Sequence, residues 1–305
     1  MHAMPPTDQR PRRRRLSTVA IAPAAMTLGN ALSGFMAIFW ASRETDLVVL
    51  GHFSPLTIAA ALVFLGMVFD ALDGSVARLT RQISSFGAQL DSMADMVTFG
   101  VAPAFIVIQL NHIGAPYFAA NDMDTWFDRI VLLIAAVYVA CCALRLARFN
   151  IEHAQTTAAE HAQFNGLPSP GAAGTLASMV LCYLTMLDVD FDIGARVAAF
   201  TIIATMLAVS LLMISGLPYS HAINRYIRGK GTFLYFGLAV VAVILMLTVP
   251  QWSLAGVFIA YALGNPVVYF FRWWYGKITE DEEDVEMIDD TTQILPLEPD
   301  EQRRA

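Results

Sequence analysis

The chain has 305 residues, of which 56% are hydrophobic and 15% are charged, and its mean hydropathy is +0.54. Soluble domains average about 25% charged residues, so this composition excludes an ordinary soluble protein and indicates an integral membrane protein. The net charge of −7 comes from the C-terminal end, because residues 278–305 hold eleven of the 26 acidic residues.

The N-terminal residues 1–21 form a basic segment that we expect to be cytoplasmic, and it contains four consecutive arginines at Arg12–Arg15. The hydrophobic run that follows continues past about 18 residues without a distinct cleavage signal, which is typical of a membrane helix and not of a signal peptide. Gly29 and Gly34 give this helix a small-residue surface, which predicts close packing against a neighbouring helix.

Further hydrophobic segments recur along the chain. A helix needs about 20 apolar residues to cross the hydrocarbon core of a bilayer. The segments that meet this requirement are 22–42, 56–78, 88–110, 129–150, 171–187, 195–215, 233–249 and 252–271. We therefore predict an all-α integral membrane protein with about eight transmembrane helices. No nucleic-acid partner is expected.

The loops between these segments differ in charge on the two sides of the membrane. The basic residues of one side are Arg12–Arg15, Arg78, Arg81, Arg145, Arg148, Arg225, Arg228, Lys230, Arg272 and Lys277. The opposite loops carry Asp122, Asp124, Asp128, Asp188, Asp190 and Asp192. Because cytoplasmic loops are enriched in Lys and Arg, we predict that the basic side and both termini are cytoplasmic. Residues 278–305 are acidic and poor in aliphatic residues, which predicts a disordered cytoplasmic tail.

Four aspartates stand at the facing ends of the second and third predicted helices, at Asp70, Asp73, Asp91 and Asp95. An ionised side chain inside the bilayer costs roughly 2.5 to 3.5 kcal/mol, so these carboxylates need a compensating partner. Helix periodicity places the first two on one face and the last two on another. Since Mg²⁺ and Mn²⁺ favour carboxylate oxygen, we predict that the two helices gather the carboxylates around a divalent cation.

The residues between these aspartates suit a phosphate ligand. Gly74, Ala77 and Gly87 lack bulk where a ligand would approach the backbone, and Arg78 offers a planar fork of donors. Mg²⁺ is typically shared between protein carboxylates and substrate phosphates, so a metal and a phosphate belong to one site. The competing interpretation is an ion-pair network of the aspartates with Arg78 and Arg81, which leaves the small residues unexplained.

The spacing D-x2-D-G-x2-A-R-x8-G-x3-D-x3-D from Asp70 to Asp95 resembles, at every position, the signature of the CDP-alcohol phosphotransferase family. Those membrane enzymes transfer a phosphatidyl or similar group from a CDP-linked donor to an alcohol and release CMP. The resemblance implies a transmembrane catalytic domain over 22–277, with its signature at 70–95. It also implies a homodimer. Because the distribution of Lys and Arg places the signature on the basic side, we expect the active site to face the cytoplasm, in the cell's inner (cytoplasmic) membrane.

Three further segments resemble the integral-membrane type of bacterial phosphatidylserine synthase. They are PAAMTLGNALSGF at 23–35, ALRLARFN at 143–150 and FNGLPSPGAAG at 164–174, although Ala24 replaces an asparagine often found there. The implied substrates are CDP-diacylglycerol and L-serine. Arg145, Arg148 and Asn150 are candidates for binding the zwitterionic serine. The alternative is that the two arginines anchor lipid headgroups at the membrane surface.

The resemblance also assigns roles to the signature residues. Asp70, Asp73 and Asp91 would hold one or two Mg²⁺ or Mn²⁺ ions, and Asp95 would complete the metal site and act as general base. The expected contacts of CDP-diacylglycerol are Asp73, Gly74, Ala77, Arg78 and Gly87. Two alternatives remain: a sister transferase that uses glycerol 3-phosphate or an inositol phosphate, and an ion-coupled transporter, which would place acids near mid-membrane on several helices.

Overall fold

The computed structural model describes residues 21–43, 53–80, 85–118, 124–155, 166–188, 192–217, 244–269 and 271. The helices are α1 (Ile21–Ala41), α2 (Pro55–Thr80), α3 (Ser85–Asp95), α4 (Ala102–Phe118), α5 (Asp124–Gln155), α6 (Ser169–Asp188), α7 (Asp192–Ile214) and α8 (Pro250–Tyr269). A π-helical turn, Met96–Val101, joins α3 to α4. The predicted acidic tail and, apart from Ile21, the predicted basic segment lie outside the described residues.

Seven helical segments of the described residues are long and apolar enough to cross a membrane. They are Ala24–Ala41, Pro55–Ser75, Phe86–His112, Trp126–Ile151, Ser169–Leu187, Val197–Ile214 and Pro250–Tyr269. The prediction of an all-α, multi-pass membrane protein is therefore confirmed, and each of these segments overlaps a predicted span. The remaining predicted span, 233–249, falls mostly outside the described residues, although 244–248 are helical.

The sequence signals at helix ends act as expected from local chemistry. Ser54 caps α2, because the Thr57 N–H donates to Ser54 Oγ at 3.2 Å, and Pro55 occupies the first helical position, where its missing N–H is not needed. Before α6, Gly166 adopts a positive φ of 94°, and its N–H donates to Leu217 O at 2.8 Å. This turn fixes the start of α6 against the end of α7.

The most enclosed helix is α6. Its buried side chains include Leu176, Val180 and Tyr183, and it packs against α2 and α7. A Cβ on Gly171 would lie 2.7 Å from a ring carbon of Tyr261, so α8 approaches α6 as closely as glycine permits. The central position of α6 places its N-terminus beside α5.

The first helix packs lengthwise along α2 and also contacts α3 and the π-helical turn. A Cβ on Gly29 would lie 3.1 Å from the ring of Phe69, and one on Gly34 would lie 2.7 Å from Thr98 Cα. The prediction that Gly29 and Gly34 permit close packing is confirmed. Because Gly34 admits the backbone of the π-helical turn, α1 lies directly against the segment that follows Asp95.

Candidate active site

Three of the four predicted carboxylates converge. Asp70 on α2 and Asp91 and Asp95 on α3 each place one carboxylate oxygen within 4.8 Å of the others. Asp95 is buried, and the other two are half-buried. We call these three residues the carboxylate triad. Two ligand oxygens on one Mg²⁺ ion are at most about 4.2 Å apart, so small side-chain rotations would bring the triad onto a hard divalent cation.

The fourth aspartate, Asp73, lies beside the triad and outside it. Its carboxylate is buried and accepts a hydrogen bond at Oδ2 from Thr27 Oγ1 of α1. It is close enough to interact electrostatically with Asp70 and Asp91. Asp73 is therefore held by α1 in this structure, whereas its predicted role as a metal ligand remains a prediction.

A second hydrogen bond from α1 reaches the triad itself. Asn30 Nδ2 donates to Asp95 Oδ1 at 2.9 Å, and Asn30 is fully buried. Thr27 and Asn30 stand three residues apart, so they share one face of α1 and serve adjacent carboxylates. The sequence interpretation missed both residues, although two polar side chains at helical spacing within an apolar span were a usable signal, because such groups need polar partners in a membrane.

The π-helical turn begins at the residue after Asp95. Thr98 Oγ1 donates to the main-chain oxygen of Asn30 at 2.8 Å, and Tyr138 Oη donates to the main-chain oxygen of Phe99 at 2.7 Å. All these groups are buried. A widened helical turn exposes main-chain oxygens that an α-helix would use internally, and α-helices often carry such turns at functional sites. Here α1 and α5 hold the turn from two sides.

The predicted lipid-nucleotide contacts are only partly described. Gly74 is exposed, and a Cβ there would meet no described heavy atom within 4 Å. Gly87 is half-buried in the first turns of α3. Ala77 and Arg78 belong to the end of α2, but their side chains lie outside the described part of the chain. The open space around Gly74 is compatible with a ligand at the surface between α2 and α3.

The predicted serine-binding residues lie on the last turns of α5. Arg145 Nη1 donates to Ser169 Oγ at 2.9 Å, and Arg145 is close enough to Asp95 to interact with it electrostatically. Its buried Nε has no hydrogen-bond partner among the described residues. Arg148 is exposed. Asn150 contacts Ser92 on α3, with Asn150 Nδ2 donating to Ser92 Oγ at 2.9 Å. The structure thus brings Arg145 towards the triad and ties Asn150 to the helix that carries it.

Comparison with known proteins supports one family. The sequence model of the CDP-alcohol phosphatidyltransferase family matches residues 20–268. This range includes the triad and the helices α1 to α8, except for the last residue of α8, Tyr269. An archaetidylserine synthase of Methanothermobacter thermautotrophicus is 34% identical over 208 residues, which cover 68% of this chain and 72% of the relative.

Two further relatives carry the name CDP-diacylglycerol–serine O-phosphatidyltransferase. The protein from Helicobacter pylori is 34% identical over 197 residues, or 65% of this chain and 70% of the relative. The protein from Saccharomyces cerevisiae is 37% identical over 161 residues, which cover 52% of each chain. The three relatives, of archaeal, bacterial and fungal origin, are thus 34% to 37% identical to this chain over 161 to 208 residues.

Proposed function

We propose, since the chain belongs to the CDP-alcohol phosphatidyltransferase family, that it transfers the phosphatidyl group of CDP-diacylglycerol to the hydroxyl of L-serine, giving phosphatidylserine and CMP. The observation that carries this proposal is the carboxylate triad, whose oxygens lie within 4.8 Å of one another in a family of CMP-releasing transferases. The choice of serine is supported by the names of the relatives from H. pylori and S. cerevisiae. The product would enter phospholipid biosynthesis.

The triad would hold a divalent cation, Mg²⁺ or Mn²⁺, with Asp73 beside it. When bound, such a cation neutralises charge on the donor pyrophosphate and on the departing CMP. Three carboxylates gathered in one place repel one another, and a cation removes that repulsion. The donor set consists only of hard oxygen ligands, which suits Mg²⁺ or Mn²⁺ better than a soft metal.

The chain's own residues would then carry out the proton transfer. The carboxylate of Asp95 takes the proton from the serine hydroxyl as that oxygen bonds to the phosphorus attached to diacylglycerol. The bond from this phosphorus to the bridging oxygen of the pyrophosphate breaks, and CMP leaves with that oxygen. Arg145 would bind the serine carboxylate, because its guanidinium is close to Asp95 and its Nε needs an acceptor.

The donor would occupy the surface between α2 and α3. Gly74, Ala77 and Gly87 would leave room for the nucleotide, Arg78 would pair with phosphate, and the acyl chains would remain in the bilayer. The positive-inside distribution of Lys and Arg supports a cytoplasmic active site in the inner membrane. We expect a homodimer from the family resemblance. The family assignment displaces the ion-coupled transporter as an alternative.

The acceptor is tested with purified protein in mixed micelles containing CDP-diacylglycerol and Mn²⁺ or Mg²⁺. L-serine, glycerol 3-phosphate and an inositol phosphate are supplied in turn, and the lipid product and CMP are both measured. We expect phosphatidylserine and an equal amount of CMP with L-serine alone. Product formation with glycerol 3-phosphate and none with serine would contradict this proposal and would identify the protein as the sister transferase.

The role of Asp95 is tested by Asp95→Asn, which keeps the size of the side chain and removes its basicity. We expect serine transfer to be abolished while binding of CDP-diacylglycerol is largely retained. An equal loss of CDP-diacylglycerol binding and of turnover would indicate that Asp95 acts mainly as a metal ligand. Asp128→Asn is the matched control. Asp128 lies near the start of α5, whereas Arg145 and Asn150 lie towards its end, and its carboxylate accepts a hydrogen bond from Asn111.

A further inference from the structure

Asn30 is a fully buried polar residue of α1, and its side chain contacts Asp95 of the triad. Its side chain is used on one side only: Nδ2 donates to Asp95 Oδ1 at 2.9 Å, whereas Oδ1 has no hydrogen-bond partner among the described residues. A buried amide oxygen without a partner costs free energy. An apolar residue would avoid that cost, so packing alone gives no reason for asparagine at this position.

The neighbours of Asn30 restrict the orientation of its side-chain amide. A Cβ on Gly66 of α2 would lie 3.0 Å from Asn30 Oδ1 and closer still to Thr98 Cγ2, so glycine at this position gives both side chains room. On α1 itself, the main-chain oxygen of Asn30 accepts a hydrogen bond from Thr98 in the π-helical turn. Gly34 lets the backbone of that turn approach, as described above. The main chain of Asn30 is therefore tied to the π-helical turn, its Oδ1 lies beside Gly66 of α2, and its side-chain N–H is directed at Asp95.

We propose that Asn30 is a positioning residue for Asp95: its amide holds one carboxylate oxygen and so fixes the rotation of the carboxylate that completes the triad. An aspartate side chain turns about two torsion angles, and Asp95 is the last residue before an irregular turn. Without the amide, the carboxylate would sample orientations in which its oxygens face away from Asp70 and Asp91. Outer hydrogen-bond partners of metal-binding carboxylates commonly matter for metal affinity in this way.

This inference rests on the proposed cation-dependent transfer, so its test needs a measurement that is independent of turnover. Asn30→Leu is the principal variant, because leucine is close to asparagine in shape and lacks the N–H donor. Asn30→Ala also lacks the donor, is smaller and keeps the test available if leucine does not fit. The matched control is Ser33→Ala: Ser33 is buried on the same helix, and its hydroxyl donates to Gly29 O.

Three quantities are measured on each purified protein. They are the Mn²⁺ dissociation constant by electron paramagnetic resonance without substrate, the melting temperature without metal, and the kcat and KM for serine transfer. We expect Asn30→Leu and Asn30→Ala to weaken Mn²⁺ binding by about 10-fold to 100-fold and to lower kcat, with little change in the KM values. The melting temperature of Asn30→Leu should stay close to that of the unaltered protein, because leucine removes the unpartnered amide oxygen together with the N–H donor, and the two effects on stability oppose each other. Ser33→Ala should leave Mn²⁺ binding and turnover unchanged.

The results separate this inference from the proposed function. Wild-type Mn²⁺ affinity in both Asn30 variants would overturn the positioning role, whatever lipid the protein makes. A loss of Mn²⁺ binding that only accompanies a loss of melting temperature in both variants would also overturn it, because the role would then be structural. If the unaltered protein binds Mn²⁺ but forms no phosphatidylserine, the proposed acceptor fails while the effect of Asn30 on metal binding is still measured.

Discussion

Asn150 near the end of α5 donates a hydrogen bond from Nδ2 to Ser92 Oγ of α3 at 2.9 Å. The reverse contact, from Ser92 Oγ to Asn150 Oδ1, measures 3.1 Å. Ser92 directly follows Asp91 and precedes Asp95 by three residues, so this pair connects α5 to the helix segment that carries two members of the triad. The residue that the sequence assigned to serine binding thus already has a partner in the protein.

The first prediction concerns this pair. Ser92→Ala and Asn150→Ala should each lower turnover and the melting temperature by a similar amount, and the double variant should be no worse than either single variant. The physical reason is that both changes remove the same hydrogen bond, which contributes about 1 kcal/mol. Melting temperatures and serine kinetics of the four proteins measure it. A higher KM for serine in Asn150→Ala alone would instead support direct substrate binding by Asn150.

The second prediction compares two glycines. Gly74→Ala should leave the melting temperature unchanged or slightly higher, because nothing described lies within 4 Å of the added methyl group and alanine favours helix. It should raise the KM for CDP-diacylglycerol, since the methyl group would occupy the space predicted for the nucleotide. Gly34→Ala should lower the melting temperature, because its methyl group would meet the backbone of Thr98 and overpacking costs about 1 to 3 kcal/mol.

The two glycine variants serve as controls for each other. Each changes one glycine to alanine within a membrane helix, and both are measured by thermal unfolding and by kinetics with varied CDP-diacylglycerol. If Gly74→Ala keeps both stability and KM, the donor does not occupy the surface beside Gly74. If Gly34→Ala keeps the melting temperature, the close contact between α1 and the π-helical turn is not present in solution.

Hydropathy and helix periodicity predicted most of the fold and the core of the site. A bilayer demands long apolar helices, so the seven described spans were visible in the sequence. The spacing of the four aspartates predicted that their carboxylates converge from neighbouring helices, and the structure brings one oxygen each of Asp70, Asp91 and Asp95 within 4.8 Å, whereas Asp73 accepts a hydrogen bond from Thr27 outside this group. These features depend on residues close together in the chain.

Contacts between distant helices could not be predicted in the same way. The bond from Asn30 to Asp95 joins residues 65 positions apart, and no local pattern specifies which carboxylate an amide will meet. The π-helical turn was also missed, because hydropathy treats 88–110 as one uninterrupted helix. Two hydrogen bonds between distant helices stabilise this turn with its extra residue: Thr98 donates to Asn30 O, and Tyr138 donates to Phe99 O.

The third prediction concerns the acceptor. Arg145→Lys should raise the KM for serine about tenfold or more and change the KM for CDP-diacylglycerol much less, because lysine cannot form the planar, paired contact with a carboxylate. Ser169→Ala should have the same effect at smaller magnitude, since it removes the hydroxyl that accepts from Arg145 Nη1 at 2.9 Å. Steady-state kinetics with each substrate varied in turn distinguish the two KM values.

The control for this experiment is Arg129→Lys, because Arg129 is exposed near the other end of the same helix and should tolerate the change without kinetic effect. Loss of stability in Arg145→Lys with an unchanged KM for serine would favour the alternative in which Arg145 anchors a lipid headgroup or only supports packing. The same pair of measurements therefore decides between the two interpretations of this arginine.

The fourth prediction addresses the triad as a metal site. Asp91→Asn should raise the Mn²⁺ concentration needed for half-maximal activity by about 10-fold to 100-fold, because a neutral amide neither balances the cation's charge nor binds it as strongly as a carboxylate. Chelation of the unaltered protein should abolish product formation, and added Mn²⁺ should restore it. Asp128→Asn should keep the original Mn²⁺ dependence, because the new amide oxygen can still accept from Asn111 Nδ2. Full activity after rigorous chelation, or an unchanged Mn²⁺ dependence in Asp91→Asn, would contradict the prediction that the three carboxylates bind a divalent cation needed for activity.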